Sequence, residues 1–324
     1  MSPRLRVALE TAFSIALLAL LLRAAGLDQV IHVLADISVA WLVGAIAVSI
    51  GTVVLMAWRW RLLLLAKHLD APLAWLTRTY FVALLASQFL PTAIGGDAIR
   101  AVELGRRSGD GPEAVASVLI DRLLGVVSLV ALAVVALAAG GQAAHRPEVL
   151  VAEATFGIAA AAVLALLFSS RLRGVVARRL EPRVDGRRLA AGQRFYDALH
   201  SYREHRLTLV VVFALAMAVQ LVRIGIIWML VRALGMDISP SLILVTAPVV
   251  FAALALPVSL NGIGVREAVF VYFLRDDVPV SQAVALGLAF LAVGTATALV
   301  GAAILAVRFL RHGMRAVRPR TRIE

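Results

Sequence analysis

Charged side chains set in apolar sequence are the residues of this chain best placed to do chemistry. Asp97, Arg100 and Glu103 recur at intervals of three. Asp121 and Arg122 interrupt SVLIDRLLGVV, and Arg223 interrupts VQLVRIGIIWM with Gln220 one turn before it. Arg266 and Glu267 come just after a glycine turn. A charge in hydrocarbon is costly unless it is paired or snorkels, so each of these asks for a reason. An interval of three places Asp97, Arg100 and Glu103 on one helix face, where a chain of ion pairs is expected. For Asp97, Arg100, Asp121 and Arg122 one reading is a polar site, in which arginine holds a phosphate while acids balance it or carry a proton. The other reading is a salt-bridge network that pins the fold. Arg223 either faces the same cavity or snorkels. Arg59, Arg61 and Arg78 read as interfacial anchors, and Trp41, Trp58, Trp60 and Trp75 as belt residues.

Other chemistries are not indicated. Cysteine is absent, which removes disulfides, cysteine–zinc sites and thiol nucleophiles. His32, His68, His145, His200, His205 and His312 do not pair at ligand spacing, so no metal centre is expected. Neither a P-loop nor a dinucleotide fingerprint occurs, and no cofactor is expected. The net charge of +12 lies in no basic face interleaved with aromatics, so nucleic acid is not the expected partner.

The elements that must position these charges are membrane helices. Of 324 residues, 61% are hydrophobic and 16% charged, with mean hydropathy +0.92. A soluble domain needs more polar surface. Long apolar runs lie near 7–25, 39–58, 113–139, 149–169, 207–231 and 282–307, each sufficient to span a bilayer. Arg4 and Arg6 precede the first, which reads as a retained helix rather than a cleaved signal. Two shorter stretches, 73–90 and 241–256, each run into a Pro/Gly segment and then a brief helical piece. The expected fold is all-α: about six spanning helices plus two oppositely oriented re-entrant hairpins. It forms one integral membrane domain over 1–324, with a first half at 1–140 and a second at 149–307.

Positive charge orients the set. With the N-terminus in the cytoplasm, 25 of the 32 lysines and arginines fall on that side and five on the other, with Arg122 and Arg223 inside helices. This puts both termini, the basic loop at 171–206 and the basic tail at 308–324 in the cytoplasm, and the protein in the inner (cytoplasmic) membrane. The loop carries Arg178, Arg179, Arg187, Arg188 and Arg194 near Phe195, Tyr196 and Leu199. It reads either as a surface helix on anionic lipid headgroups or as a solvated loop.

The two broken stretches match each other. FLPTAIGGDAIRAVEL from Phe89 aligns without a gap on ALPVSLNGIGVREAVF from Ala255. Pro91 falls on Pro257, Gly96 on Gly262 and Arg100 on Arg266. By the charge orientation one segment enters from the cytoplasm and the other from outside. Paired Gly/Pro-interrupted segments in inverted halves are a transporter pattern that places a binding site near the midplane. Broken backbone at that depth needs protein or a wet cavity around it. Free N–H groups at a half-helix N-terminus suit a phosphate or carboxylate. Gly95 and Gly96 are expected just before a helix near Asp97, and Asn261, Gly262 and Gly264 before one near Val265. The alternative is a pair of ordinary helix–helix turns.

PTAIGGDAIR at Pro91–Arg100, the Asp121–Arg122 pair and LPVSLNGIGVREA at Leu256–Ala268 resemble the flippase-like transmembrane region of the lysylphosphatidylglycerol synthase family, over nearly the whole chain. The resemblance implies transbilayer movement of a phospholipid or lipid-linked anion and leaves the substrate open. Bifunctional members carry a separate cytoplasmic synthase domain. This chain stops about seventeen residues after its last apolar run, so that activity is not expected, nor any other enzymatic one. The expected binding set is Gly95, Gly96, Asp97, Arg100, Asp121, Arg122, Asn261, Gly262, Gly264, Arg266 and Glu267, with a membrane lipid as substrate. The oligomeric state is open, a homodimer being one arrangement. The rival readings are an intramembrane lipid-modifying enzyme, a small-solute transporter and a non-transporting scaffold.

Overall fold

The structure, a computed structural model, describes residues 3–89, 95–139, 146–168, 186–255 and 259–316. Among them the regular elements are all helical. They are α1 (Pro3–Ala25), α2 (Leu27–Ala35), α3 (Val39–Ala66), α4 (Leu73–Phe89), α5 (Gly95–Ser108), α6 (Gly111–Ala139), α7 (Pro147–Phe168), α8 (Gly186–Ser201), α9 (Arg206–Ala233), α10 (Pro240–Ala255), α11 (Val265–Leu274) and α12 (Val280–Ala316), with 3-10 turns at Tyr202–Glu204 and Leu260–Gly262. Five helices, α1, α3, α6, α9 and α12, are long and apolar enough to cross a membrane, so this is a multi-pass membrane protein. The remaining apolar run, near 149–169, forms α7, of 22 residues. Several expectations fall outside the described residues: Pro91 and Pro257, His145, the start of the basic loop and the end of the tail.

The long helices follow from composition. Their Leu, Val, Ala and Ile runs satisfy every backbone group internally, which hydrocarbon demands. They expose large apolar side chains outward, among them Ile15, Leu20, Val43, Val151, Ile158 and Leu299. The interior divides into clusters. One joins Trp60, Leu76, Tyr80 and Leu104 of α3, α4 and α5. The largest gathers Ile227, Leu230, Phe251, Phe270 and Leu286 of α9 to α12.

A third cluster resolves part of the basic loop. α8 packs on α6, with Leu199 and Tyr202 buried against Leu63 and Ile120. Lys67 lies 3.3 Å from Glu113, bonds the Ser201 hydroxyl, and stands 5.1 Å over the Tyr202 ring. Burial pushes the Tyr202 phenol well above its ordinary range, so it stays a neutral donor, reaching the Leu63 carbonyl at 3.4 Å. The end of the loop is therefore docked to the helix bundle.

α12 touches both broken segments through glycine. Gly287, Gly294 and Gly301 are spaced by seven, so they share one stripe. A methyl on Gly287 would come within 2.7 Å of Glu267 Cγ in α11, and one on Gly301 would run into the Phe81 carbonyl of α4. No other residue permits both approaches.

Candidate functional site

The two breaks are built differently. In the first, α5 begins at Gly95 itself rather than near Asp97. Gly96 stands in the first turn of α5. It is packed on α4, where a Cβ would clash with the Ser87 side chain and come within 2.8 Å of the Ala83 carbonyl. In the second, the chain makes a 3-10 turn at Leu260–Gly262 in which Asn261 (φ 49°) and Gly262 (φ 75°) have positive φ, and so does Gly264 (φ 82°), the N-cap of α11. A side chain at Gly264 would also crowd Leu17 at 3.0 Å. The gap-free alignment thus sets Gly95, within α5, against Asn261, within the 3-10 turn of the second break. Arg100 stands one turn into α5, whereas Arg266 is the second residue of α11.

Asp121 is the centre of the first break's charge network. It is 1% exposed. Arg59 Nε donates to it at 2.8 Å, Arg100 Nη2 at 2.8 Å and the Tyr80 hydroxyl at 2.7 Å. The Arg100 guanidinium lies between aromatic faces, 4.0 Å from the Tyr80 ring and 4.3 Å from the Trp60 ring. It also reaches Asp97 at 3.3 Å, and Asp97 in turn pairs with Arg122. One acid thereby satisfies donors from α3, α4 and α5, which is what makes so many buried charges tolerable.

This arrangement corrects two sequence expectations. Arg59 is no interfacial anchor: it is 5% exposed and ion-paired inside the bundle. Trp60 is no belt residue: it is fully buried, donates to Ser117 at 3.2 Å and meets Tyr80 edge-on. Trp41 and Trp58 do face outward. Arg100 reaches Asp97 and Asp121.

The second break is self-contained. Arg266 bonds its neighbour Glu267 through Nε (3.1 Å) and Nη2 (3.0 Å), and the other Glu267 oxygen accepts from the Gly264 N–H at 2.7 Å. Glu267 so caps α11 and neutralises Arg266 at once.

Both breaks open on one cavity of about 460 Å³. Of the expected set it is lined by Asp97, Arg100, Asp121, Arg122, Asn261 and Arg266, and not by Gly95, Gly96, Gly262, Gly264 or Glu267. The breaks also touch: the Asn261 amide donates to Gln88 at the end of α4. Sequence reasoning passed over Gln88 and Tyr80 and took Arg59 for an anchor. Gln88 is a polar side chain near the end of the apolar stretch 73–90, and that was the available signal. Arg223, left open between two readings, lines the cavity. The lining arginines are Arg59, Arg100, Arg122, Arg223 and Arg266, against Asp97 and Asp121. Even with Glu267 counted, five cations face three anions.

The family described as the lysylphosphatidylglycerol synthase TM region matches residues 7–302. No curated protein matches the chain. With the match spanning nearly its whole length, the chain belongs to that family, and the membership supports a function concerned with membrane lipid.

Proposed function

We propose that this protein moves a phospholipid or lipid-linked anion across the bilayer by alternating access at the central cavity. The observation that carries the reading is the excess of arginine in a cavity enclosed by apolar helices. Uncompensated positive charge at that depth is costly and calls for an anion. A phosphate suits guanidinium groups through paired, charge-assisted hydrogen bonds. The headgroup enters the polar centre while its tails remain in lipid.

On this reading α4–α5 and α10–α11 are re-entrant hairpins of opposite orientation. Their 17, 14, 16 and 10 residues reach about 26, 21, 24 and 15 Å at 1.5 Å per residue, against about 30 Å of hydrocarbon. The protein sits in the inner membrane with both termini and α8 cytoplasmic. It is a transporter and not an enzyme. A cysteine replacing Asp197 of α8 in this cysteine-free chain should resist an impermeant label in intact cells; its labelling would overturn the orientation.

Transport is tested with the purified chain in vesicles holding a fluorescent phosphatidylglycerol, scored by bleaching of the outer leaflet. The chain should speed exchange between leaflets. The paired change Arg266→Gln with Glu267→Gln removes both charges, keeps an acceptor for the Gly264 N–H, and should slow exchange about tenfold or more. Exchange no faster than in protein-free vesicles would refute the reading. A chemically altered lipid in the same vesicles would favour the enzyme.

A further inference from the structure

The five cavity arginines are not equivalent, and the difference identifies one of them. Arg59 and Arg100 are held by Asp121, Arg122 by Asp97 and Arg266 by Glu267. Arg223 meets no carboxylate among the described residues. Its protein partners are the Gln220 side-chain oxygen, 3.1 Å from Nη1, and the face of Phe251, 3.9 Å from Cζ. A guanidinium has five N–H donors in one plane. Stacking on Phe251 covers a face and leaves that plane's edge available, and one bond to Gln220 uses one donor.

We infer that Arg223 is the seat for the phosphate of the transported lipid, and that Gln220 is the positioning residue that aims it. This deepens the transport reading and rests on it. Gln220 lies on α9 and spans to α6: its Nε2 donates to the Gly125 carbonyl at 3.3 Å. That bond turns the amide so that its oxygen must face Arg223. The Phe251 ring supports the guanidinium from α10. A planar fork fixed at one nitrogen and backed by a ring is preorganised for two parallel bonds to phosphate oxygens. The other cavity arginines are each ion-paired to an acid; Arg223 keeps its charge for a ligand.

The same geometry makes the test clean. Arg223→Gln strands no buried acid among the described residues, so the variant should fold, and its melting temperature in dodecylmaltoside checks this. The probe is dihexanoylphosphatidylglycerol titrated calorimetrically into the purified full chain. Dihexanoylglycerol serves as a tail-only control and inorganic phosphate as a head-only control. Arg223→Gln should weaken binding of the phospholipid about 30-fold and leave the tail-only probe unchanged. Arg223→Lys, which keeps the charge without the fork, should fall between the two. Gln220→Glu should weaken binding as well, because it supplies the carboxylate that Arg223 lacks. Phosphate bound as tightly as the phospholipid, and lost in Arg223→Gln, upholds the anion seat and moves its source from lipid to solute. Unchanged phospholipid binding in Arg223→Gln, with binding lost in the Arg266/Glu267 double variant, overturns the seat while transport stands. Wild-type protein that binds neither phospholipid nor phosphate removes the transport reading itself.

Discussion

The first break borrows its stability from other helices, and the second supplies its own. Asp121 of α6 collects donors from α3, α4 and α5, so α5 is fixed to three neighbours at once. Arg266, Glu267 and the Gly264 N–H close a loop of bonds within four residues. Equal spacing of Pro, Gly and Arg therefore does not mean equal mechanics. A network spread over several helices resists relative movement of any one of them. A network inside one segment travels with it. If the cavity opens alternately to two sides, the second break is the one whose charges stay satisfied while it shifts.

The comparison is most severely tried at Asp121. Asp121→Asn leaves Arg59 and Arg100 buried without a counter-charge and should cost about 3–5 kcal/mol. Thermal unfolding in detergent should show it as loss of monodisperse protein. Arg59→Ala should also destabilise measurably, in contrast to a change at the exposed Arg78. If Asp121→Asn melts like the wild type, the network is not what holds α5.

A smaller loss is expected at the second break. Glu267→Gln keeps an acceptor for the Gly264 N–H and deprives only Arg266, so about 1–3 kcal/mol should be lost. A larger loss here than at Asp121 would invert the comparison. The smallest effect belongs to the ion pair at the far end of α11, where Arg146 meets Asp277 at 3.0 Å with both side chains about a quarter exposed. Asp277→Asn should cost less than about 1 kcal/mol, and the difference should shrink further in 1 M salt.

The long helices were legible because hydropathy is a property of the run itself: α3 and α9 lie where the apolar sequence puts them. Asp121 and Arg122 were legible as well, since a charge inside such a run stands out. Arg59 was not. It closes an apolar run between Trp58 and Trp60, the composition that also marks a membrane surface, and only the packing of α4 and α6 over it distinguishes burial from anchoring. Tyr80 was overlooked because a tyrosine in a helix is usually unremarkable until an acid from another helix reaches its hydroxyl. The short helix α2 and the start of α5 at Gly95 depend on which neighbours accept the first turn, and that information is spread along the chain.

The glycine stripe of α12 has a consequence for leakage. Gly287 receives α11, Gly301 receives α4, and Gly294 between them lines the cavity. Fourteen residues set the two contacts about 21 Å apart on a single rod. On the proposed transport reading, the two segments would be leaves of a gate that ride one rod and tilt or roll as a pair. Pulling one leaf away alone would uncover a strip of α12 that has no side chain with which to plug the gap. On that reading a pore open to both sides at once would have to form there, and the stripe would work as an interlock.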